Sequence, residues 1–207
     1  DVRCICCIGE VERSEGVRIC AAETLARAIA VASVLREAAQ EEPESARIGP
    51  SNRVVPKEHL APITIHQPYY NMLDRGVERD LLPVAERVDM GVIAFCPLAS
   101  GLLSGTKYQD GDVPAESRPA REWARHWVAG KSRDERKRVL QGLAAIARER
   151  GQTLAQMAVA WALRHAGMTS VVMGASRPEQ VEQNVGALAK LAFTADELAR
   201  IDALTAG

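Results

Sequence analysis

The residues from Ser170 to Asn184, Ser-Val-Val-Met-Gly-Ala-Ser-Arg-Pro-Glu-Gln-Val-Glu-Gln-Asn, have the types and spacing to hold an anion. Val171, Val172 and Met173 form a short β-branched and apolar run that predicts a buried strand, and Gly174-Ala175 predicts a tight turn. Ser176 and Glu179 have capping-box spacing, and Pro178 falls in the first helical turn, where a missing N–H costs little. A strand that feeds a helix through small residues leaves backbone N–H groups free at the positive end of the helix dipole. Arg177 adds charge, so the segment suits a phosphate. An ordinary capped strand-to-helix turn accounts for the same residues. Cys4 and Cys7 make a second spacing of interest, C-x-x-C. A metal centre would need a second pair, and no nearby His helps, so Cys4-Ile5-Cys6-Cys7-Ile8 reads as a buried strand using cysteine as a small apolar residue. No metal site is expected. His66 reads as a structural residue at a strand end, and His165 as a helix-end residue that serves the dipole or nothing.

The chain that must position these residues has 207 residues, with 26 basic and 27 acidic side chains and a net charge of -1. That balance excludes a nucleic-acid or membrane surface, and no apolar run approaches the roughly 18 residues of a membrane span. Cytoplasm is the default compartment. Asp1-Val-Arg-Cys4 carries neither Met nor a signal pattern and reads as a cut end.

The character of the chain changes near residue 60. Residues 1–60 contain no Phe, Tyr or Trp and hold four of the five cysteines, so they are set apart as a divergent segment from residues 61–207. Within the first segment a helix is expected from Glu23 to Glu42, ended by Pro43, then a short strand and loop over Ala46–Asn52. From Ala61 the elements alternate. A strand is expected at Ile63–Ile65, a loop at 66–71, a helix at Gly76–Met90 and a strand at Gly91–Phe95. A long loop, Ala99–Lys131, follows. Ser132 and Glu135 cap a helix that runs to Gly151, Thr153 and Gln156 cap another that stops at Gly167, and Thr194 and Glu197 cap the last. Strands alternating with amphipathic helices predict parallel βαβ units, in an open doubly wound sheet or a (β/α)8 barrel. In the barrel, sites form where strands end. Ser51-Asn52, Gln67, Phe95-Cys96-Pro97-Leu98 and Gly174-Ala175-Ser176 fall at such places.

Four ordered motifs carry a resemblance: Ile65–Asn71 (Ile-His-Gln-Pro-Tyr-Tyr-Asn), Phe95–Gly105 (Phe-Cys-Pro-Leu-Ala-Ser-Gly-Leu-Leu-Ser-Gly), Gly151–Trp161 and Gly174–Asn184. Together they resemble the aldo-keto reductase superfamily, in the branch of bacterial glyceraldehyde 3-phosphate reductases and potassium-channel β-subunits. The match covers Ala61–Gly207. The resemblance implies an α/β fold of the (β/α)8 TIM-barrel kind, here a partial barrel lacking its first strands, with residues 1–60 as a remnant of strands four and five. It implies NADP(H) bound across the C-terminal face, a small carbonyl substrate, and a bacterial, cytoplasmic oxidoreductase that reduces aldehydes or small ketones.

By that resemblance Ser51, Asn52 and Gln67 hold the nicotinamide carboxamide and Phe95 stacks on the ring. Cys96, Pro97, Leu98 and Ser100 line the pyrophosphate. Lys107 and Arg118 belong to the long loop over the phosphates, with Thr106 as an extra residue before Lys107. Gly174, Ser176, Gln180, Gln183 and Asn184 hold the adenosine and its 2′-phosphate. The family's acid catalyst is a Tyr tuned by a Lys–Asp pair, with a His beside the substrate. None of these is matched here. The first Tyr is Tyr69, the first Lys is Lys57, and Ile8 stands near the place of the His. No catalytic residue is assigned, and a truncated reductase is expected. The alternative is an inactive NADPH-binding or regulatory protein, or a non-functional fragment. A partial barrel exposes sheet edges and apolar surface, which predicts homo-oligomers.

Overall fold

The computed structural model describes residues 64–175 and 177–205. Three strands, β1 (Ile65–His66), β2 (Gly91–Phe95) and β3 (Met168–Val172), form one sheet in the order β1-β2-β3. Both pairings are parallel, with Ile65 opposite Gly91 and Phe95 opposite Val172. Helix α1 (Gly76–Arg87) connects β1 to β2. The second crossover carries two short helices, α2 (Arg118–Arg121) and α3 (Arg125–Ala129), and two longer ones, α4 (Arg133–Glu149) and α5 (Leu154–Ala162). After β3 come α6 (Pro178–Val185), a 3-10 turn (Gly186–Ala189) and α7 (Ala195–Thr205). This is an α/β arrangement with a partial parallel sheet, as a partial barrel requires.

Burial follows from period. Val92 and Ala94 alternate on one face of β2 and are fully buried, while Gly91, Ile93 and Phe95 on the other face are half-buried. The buried face meets a core built from Leu81 and Ala85 of α1, Leu140 and Leu143 of α4, and Met157 and Trp161 of α5. Between Val92 and Ile93 the pairing advances by two residues on β3, so Thr169 is an extra residue. Its Oγ1 accepts the Val92 N–H at 3.2 Å, replacing the ladder bond that the bulge removes.

The helix starts follow the capping chemistry. Ser132 Oγ accepts the Glu135 N–H, and Glu135 Oε2 accepts the Ser132 N–H at 2.7 Å. Thr153 with Gln156, and Thr194 with Glu197, repeat the reciprocal pattern. Several ends differ from expectation. Helix α1 stops at Arg87 instead of Met90, because the chain turns through Asp89, at φ +53°, to enter β2. Helix α5 stops at Ala162, well short of Gly167: the Arg164 guanidinium bonds the Trp161 carbonyl at 3.0 Å, and the chain then turns into β3. The loop 99–131 is not featureless, since it contains α2 and α3. Strand β3 begins at Met168, earlier than its apolar run suggests, because Thr169 and Ser170 also pair.

The expected cysteine-rich strand at 4–8, the helix at Glu23–Glu42 and the strand and loop at Ala46–Asn52 lie outside the described residues. Among those described, no helix is long and apolar enough to cross a membrane. Ile65, Val181, Val185 and Leu188 are exposed apolar residues.

Candidate cofactor groove

Because the three strands are parallel, their C-terminal ends lie along one edge of the sheet. Gln67 follows β1, Cys96-Pro97-Leu98 follows β2, and Met173-Gly174-Ala175 follows β3. All of them line one open groove of about 1680 Å³. Drug-sized ligands occupy pockets of about 300–1,000 Å³, so this groove admits an elongated molecule. Parallel α/β proteins place ligands at this edge.

The middle of the groove floor is a strained loop. Cys96 (φ +59°), Ala99 (φ +49°) and Ser100 (φ +53°) take left-handed backbone without being glycine, at a cost on the order of 1 kcal/mol each. Surrounding bonds hold them there. The Ser100 N–H donates to Cys96 Sγ at 3.1 Å, the Ala99 N–H to the Cys96 carbonyl at 3.0 Å and the Leu103 N–H to the Leu98 carbonyl at 3.2 Å. Leu102 and Leu103 are buried anchors. Asn71, fully buried, ties this loop to the one after β1: its Nδ2 donates to the Cys96 carbonyl at 3.3 Å, and its Oδ1 accepts the Leu73 and Asp74 N–H groups.

One end of the groove is aromatic. The Phe95 ring lies 5.6 Å from that of Tyr69 and 4.9 Å, edge-on, from that of Trp123, which stacks on Tyr69 at 5.7 Å. Burial pushes the Tyr69 and Tyr70 hydroxyls above the usual phenol range, so both stay protonated and neither is a tuned acid. The other end is the start of α6. Arg177 is its N-cap residue, extended at φ -147°, and its side chain makes no capping bond, so the cap is one residue beyond that expected at Ser176. Pro178 does occupy the first turn. Arg177, Gln180, Gln183 and Asn184 all line the groove.

Of the residues named from the sequence, the structure brings Gln67, Phe95, Cys96, Pro97, Leu98, Ser100, Arg118, Gly174, Gln180, Gln183 and Asn184 to the groove lining. Lys107 is exposed, with its ammonium 5.1 Å from the Tyr108 ring centroid, and is not among the lining residues. Ser51, Asn52 and Ser176 lie outside the described residues. Sequence reasoning missed Glu122, Trp123 and Arg148, which also line the groove. Glu122 and Trp123 sit in a stretch expected to be loop and Arg148 on the helix that follows, and no spacing marks them. Its reading of His165 also changes. Helix α5 ends before it, and its Nε2 lies 3.8 Å from Glu78 Oε1, in a cluster with Arg75 and Arg164. Among the described residues no group of three or more His, Cys, Asp and Glu could hold a metal.

A family model described as the Aldo/keto reductase family matches residues 45–206. An L-glyceraldehyde 3-phosphate reductase of Escherichia coli O157:H7 is 45% identical over 148 residues, 70% of this chain and 42% of that protein. That of E. coli strain K12 is 44% identical over 149 residues, again 42% of the relative. A protein of Oryza sativa subsp. japonica described as "Probable voltage-gated potassium channel subunit beta" is 38% identical over 125 residues, 60% of this chain and 38% of that protein. The chain therefore spans less than half the length of these relatives. The chain belongs to the aldo/keto reductase family.

Proposed function

We propose that this chain is the cofactor-holding part of an NADPH-dependent aldo/keto reductase that reduces aldehydes or small ketones. The observation that carries the reading is the convergence of Gln67, Phe95–Leu98 and Gly174 at one end of a parallel sheet, in one groove. The polar and aromatic groups are distributed as a dinucleotide needs them. At the Phe95 end the Gln67 amide offers a donor and an acceptor to a carboxamide, and the Phe95 ring offers a stacking face. In the middle, the strained 96–101 loop brings backbone close to a pyrophosphate, with Arg118 across from it. At the α6 end, Arg177 and the N–H groups of the first helical turn suit a 2′-phosphate, and Gln183 and Asn184 suit adenosine. When bound, the nicotinamide supplies hydride to a carbonyl carbon. Ser51, Asn52 and Ser176 complete the set in this reading.

Burial raises the Tyr69 and Tyr70 hydroxyls above the usual phenol range, which makes both weaker acids than a free phenol. Two of the relatives are named for L-glyceraldehyde 3-phosphate, which makes a three-carbon aldehyde phosphate the first substrate to assay. A cytoplasmic location and homo-oligomers are parts of the same reading. The second reading, cofactor binding without turnover in a regulatory protein, is favoured by the likeness to proteins described as probable voltage-gated potassium channel subunit beta. Titration with NADPH and NADH, followed by nucleotide fluorescence and by aldehyde-dependent NADPH oxidation, tests both. Binding with oxidation supports the reductase, binding without oxidation supports the second reading, and no binding overturns both.

A further inference from the structure

One arginine of the groove wall, Arg118, already has a carboxylate. Arg118 opens α2, and Glu122, one turn later, grips its guanidinium edge: Nε lies 3.0 Å from Oε1 and 3.2 Å from Oε2, and Nη2 lies 3.0 Å from Oε2. This forked contact uses the same two N–H directions that a phosphate would use. Both residues line the groove, with Cys96 and Ser100 of the strained loop. The pair is not a buried structural lock, because its side chains are 72% and 41% exposed. Exposed pairs of this kind are weak and exchangeable.

We propose that Glu122 is a resident counter-anion that occupies Arg118 in the ligand-free groove and is displaced when a phosphate group of the ligand arrives. The inference rests on the dinucleotide reading only for the identity of that phosphate. Two consequences follow from the chemistry. A monoanionic carboxylate on a small ligand gains nothing by replacing Glu122, since it exchanges one carboxylate for another. A phosphate or pyrophosphate carries more charge and more acceptor oxygens, so it wins the exchange. Glu122 thereby lowers affinity for every anion but keeps selectivity for phosphates. Once displaced, its charge remains beside the ligand and repels it, which also shortens residence.

Trp123 supplies the readout: it adjoins Glu122, lines the groove and is 58% exposed. The full chain is titrated with inorganic pyrophosphate and, separately, with NADP+, following tryptophan fluorescence. Glu122→Gln is expected to tighten pyrophosphate binding about two- to five-fold, the range an exposed ion pair supports. Arg118→Gln weakens it. Glu116→Gln removes the same charge from the same stretch, but Glu116 is not among the groove residues, and this variant is expected to match the parent. Equal affinity of the parent and Glu122→Gln overturns the proposal, as does an equal gain with Glu116→Gln or no pyrophosphate binding by any variant. If pyrophosphate behaves as expected while NADP+ binds none of the proteins, the counter-anion stands and the dinucleotide reading falls. If NADP+ binds but Glu122→Gln changes neither ligand, the reverse holds.

Discussion

Gln156 joins α5, whose first residues line the groove, to the carbonyl of Gln183 in α6. Its Oε1 accepts the Thr153 N–H at 2.9 Å, completing the cap of α5, and its Nε2 donates to the Gln183 carbonyl at 2.8 Å. Gly186 leaves room for this amide, since a Cβ there would fall 2.5 Å from Nε2. Gln156→Ala is expected to destabilise the fold by about 1–2 kcal/mol through the lost cap and tie. Gly186→Ala is expected to act in the same direction by pushing the amide aside. Denaturant midpoints measure both, and a Gly186→Ala protein as stable as the parent would refute the close approach.

Asn71 is the corresponding tie at the strained loop in the middle of the groove floor. Replacing it with Leu, close in volume, leaves the Leu73 N–H without its partner and takes one of two bonds from the Asp74 N–H and from the Cys96 carbonyl, which keep the Asn71 backbone carbonyl and the Ala99 N–H. The expected loss is about 1–3 kcal/mol, the cost of one buried group left unpaired. Cys96 then relaxes from its left-handed backbone, so pyrophosphate affinity should fall together with stability. Unchanged affinity in a folded variant would separate the loop from the groove.

Glu78 governs the acid limit of stability. Burial works against its charge, but His165, Arg75, Tyr70 and Arg164 around it overcome that and hold the carboxyl well below the usual carboxylate range. A depressed folded pKa means that its contribution is complete above the unfolded value, near 4.5, and drains away as pH falls below it toward the folded value. Stability should therefore decline on acidification below about pH 5. Glu78→Gln should flatten that decline while costing about 2–3 kcal/mol at neutral pH, where Arg164 loses its partner. Urea midpoints between pH 3 and pH 7 for the two proteins decide it.

Arg150 fixes the segment that follows α6. Its guanidinium is buried over the Phe193 ring, bonds Glu197 at 2.5 Å, Gln152 at 2.9 Å and the Ala192 carbonyl at 3.1 Å, and also reaches the Lys190 carbonyl. A lysine cannot reproduce that fork, so Arg150→Lys is expected to cost about 2–4 kcal/mol. Faster hydrogen exchange over residues 186–194 than elsewhere would show where the loss falls.

In the proposed function, Arg177 at the α6 start carries the choice of cofactor. Arg177→Gln is expected to reduce NADPH affinity several-fold and leave NADH unchanged, because only the former has a 2′-phosphate to lose a charged partner. Titration of both nucleotides against both proteins checks it, and an equal effect on each would remove Arg177 from the 2′-phosphate.

Local chemistry made much of this fold legible. The reciprocal caps at Ser132–Glu135, Thr153–Gln156 and Thr194–Glu197 are written in side-chain types three residues apart, and the structure keeps all three. The strand Gly91–Phe95 is legible because it is a short apolar run between turn residues. The helix ends at Arg87 and Ala162 were not, since Asp89 backbone and the Arg164 side chain set them, and neither follows from periodicity. In the groove, strand-end residues were legible because parallel strands must finish on the same edge. Glu122 and Trp123 were not, because their position depends on how an irregular crossover folds back. The Tyr70–Glu78–Arg164 cluster depends likewise on contacts between residues 86 and 94 positions apart.

The bulge at Thr169 lets β3 carry one residue more than the strand it pairs with. On either side of it the partners stay in step, Met168 opposite Val92 and Ser170 opposite Ile93, so the side chains beyond the bulge keep the faces of their β2 partners. The extra residue is taken up as local bend and twist, upstream of the turn at Gly174. Deleting it would let the ladder run on unbroken and would change the angle, not the phase, at which Gly174 and Ala175 reach the groove. A single codon thus trims the aim of the last wall of the groove against the first two.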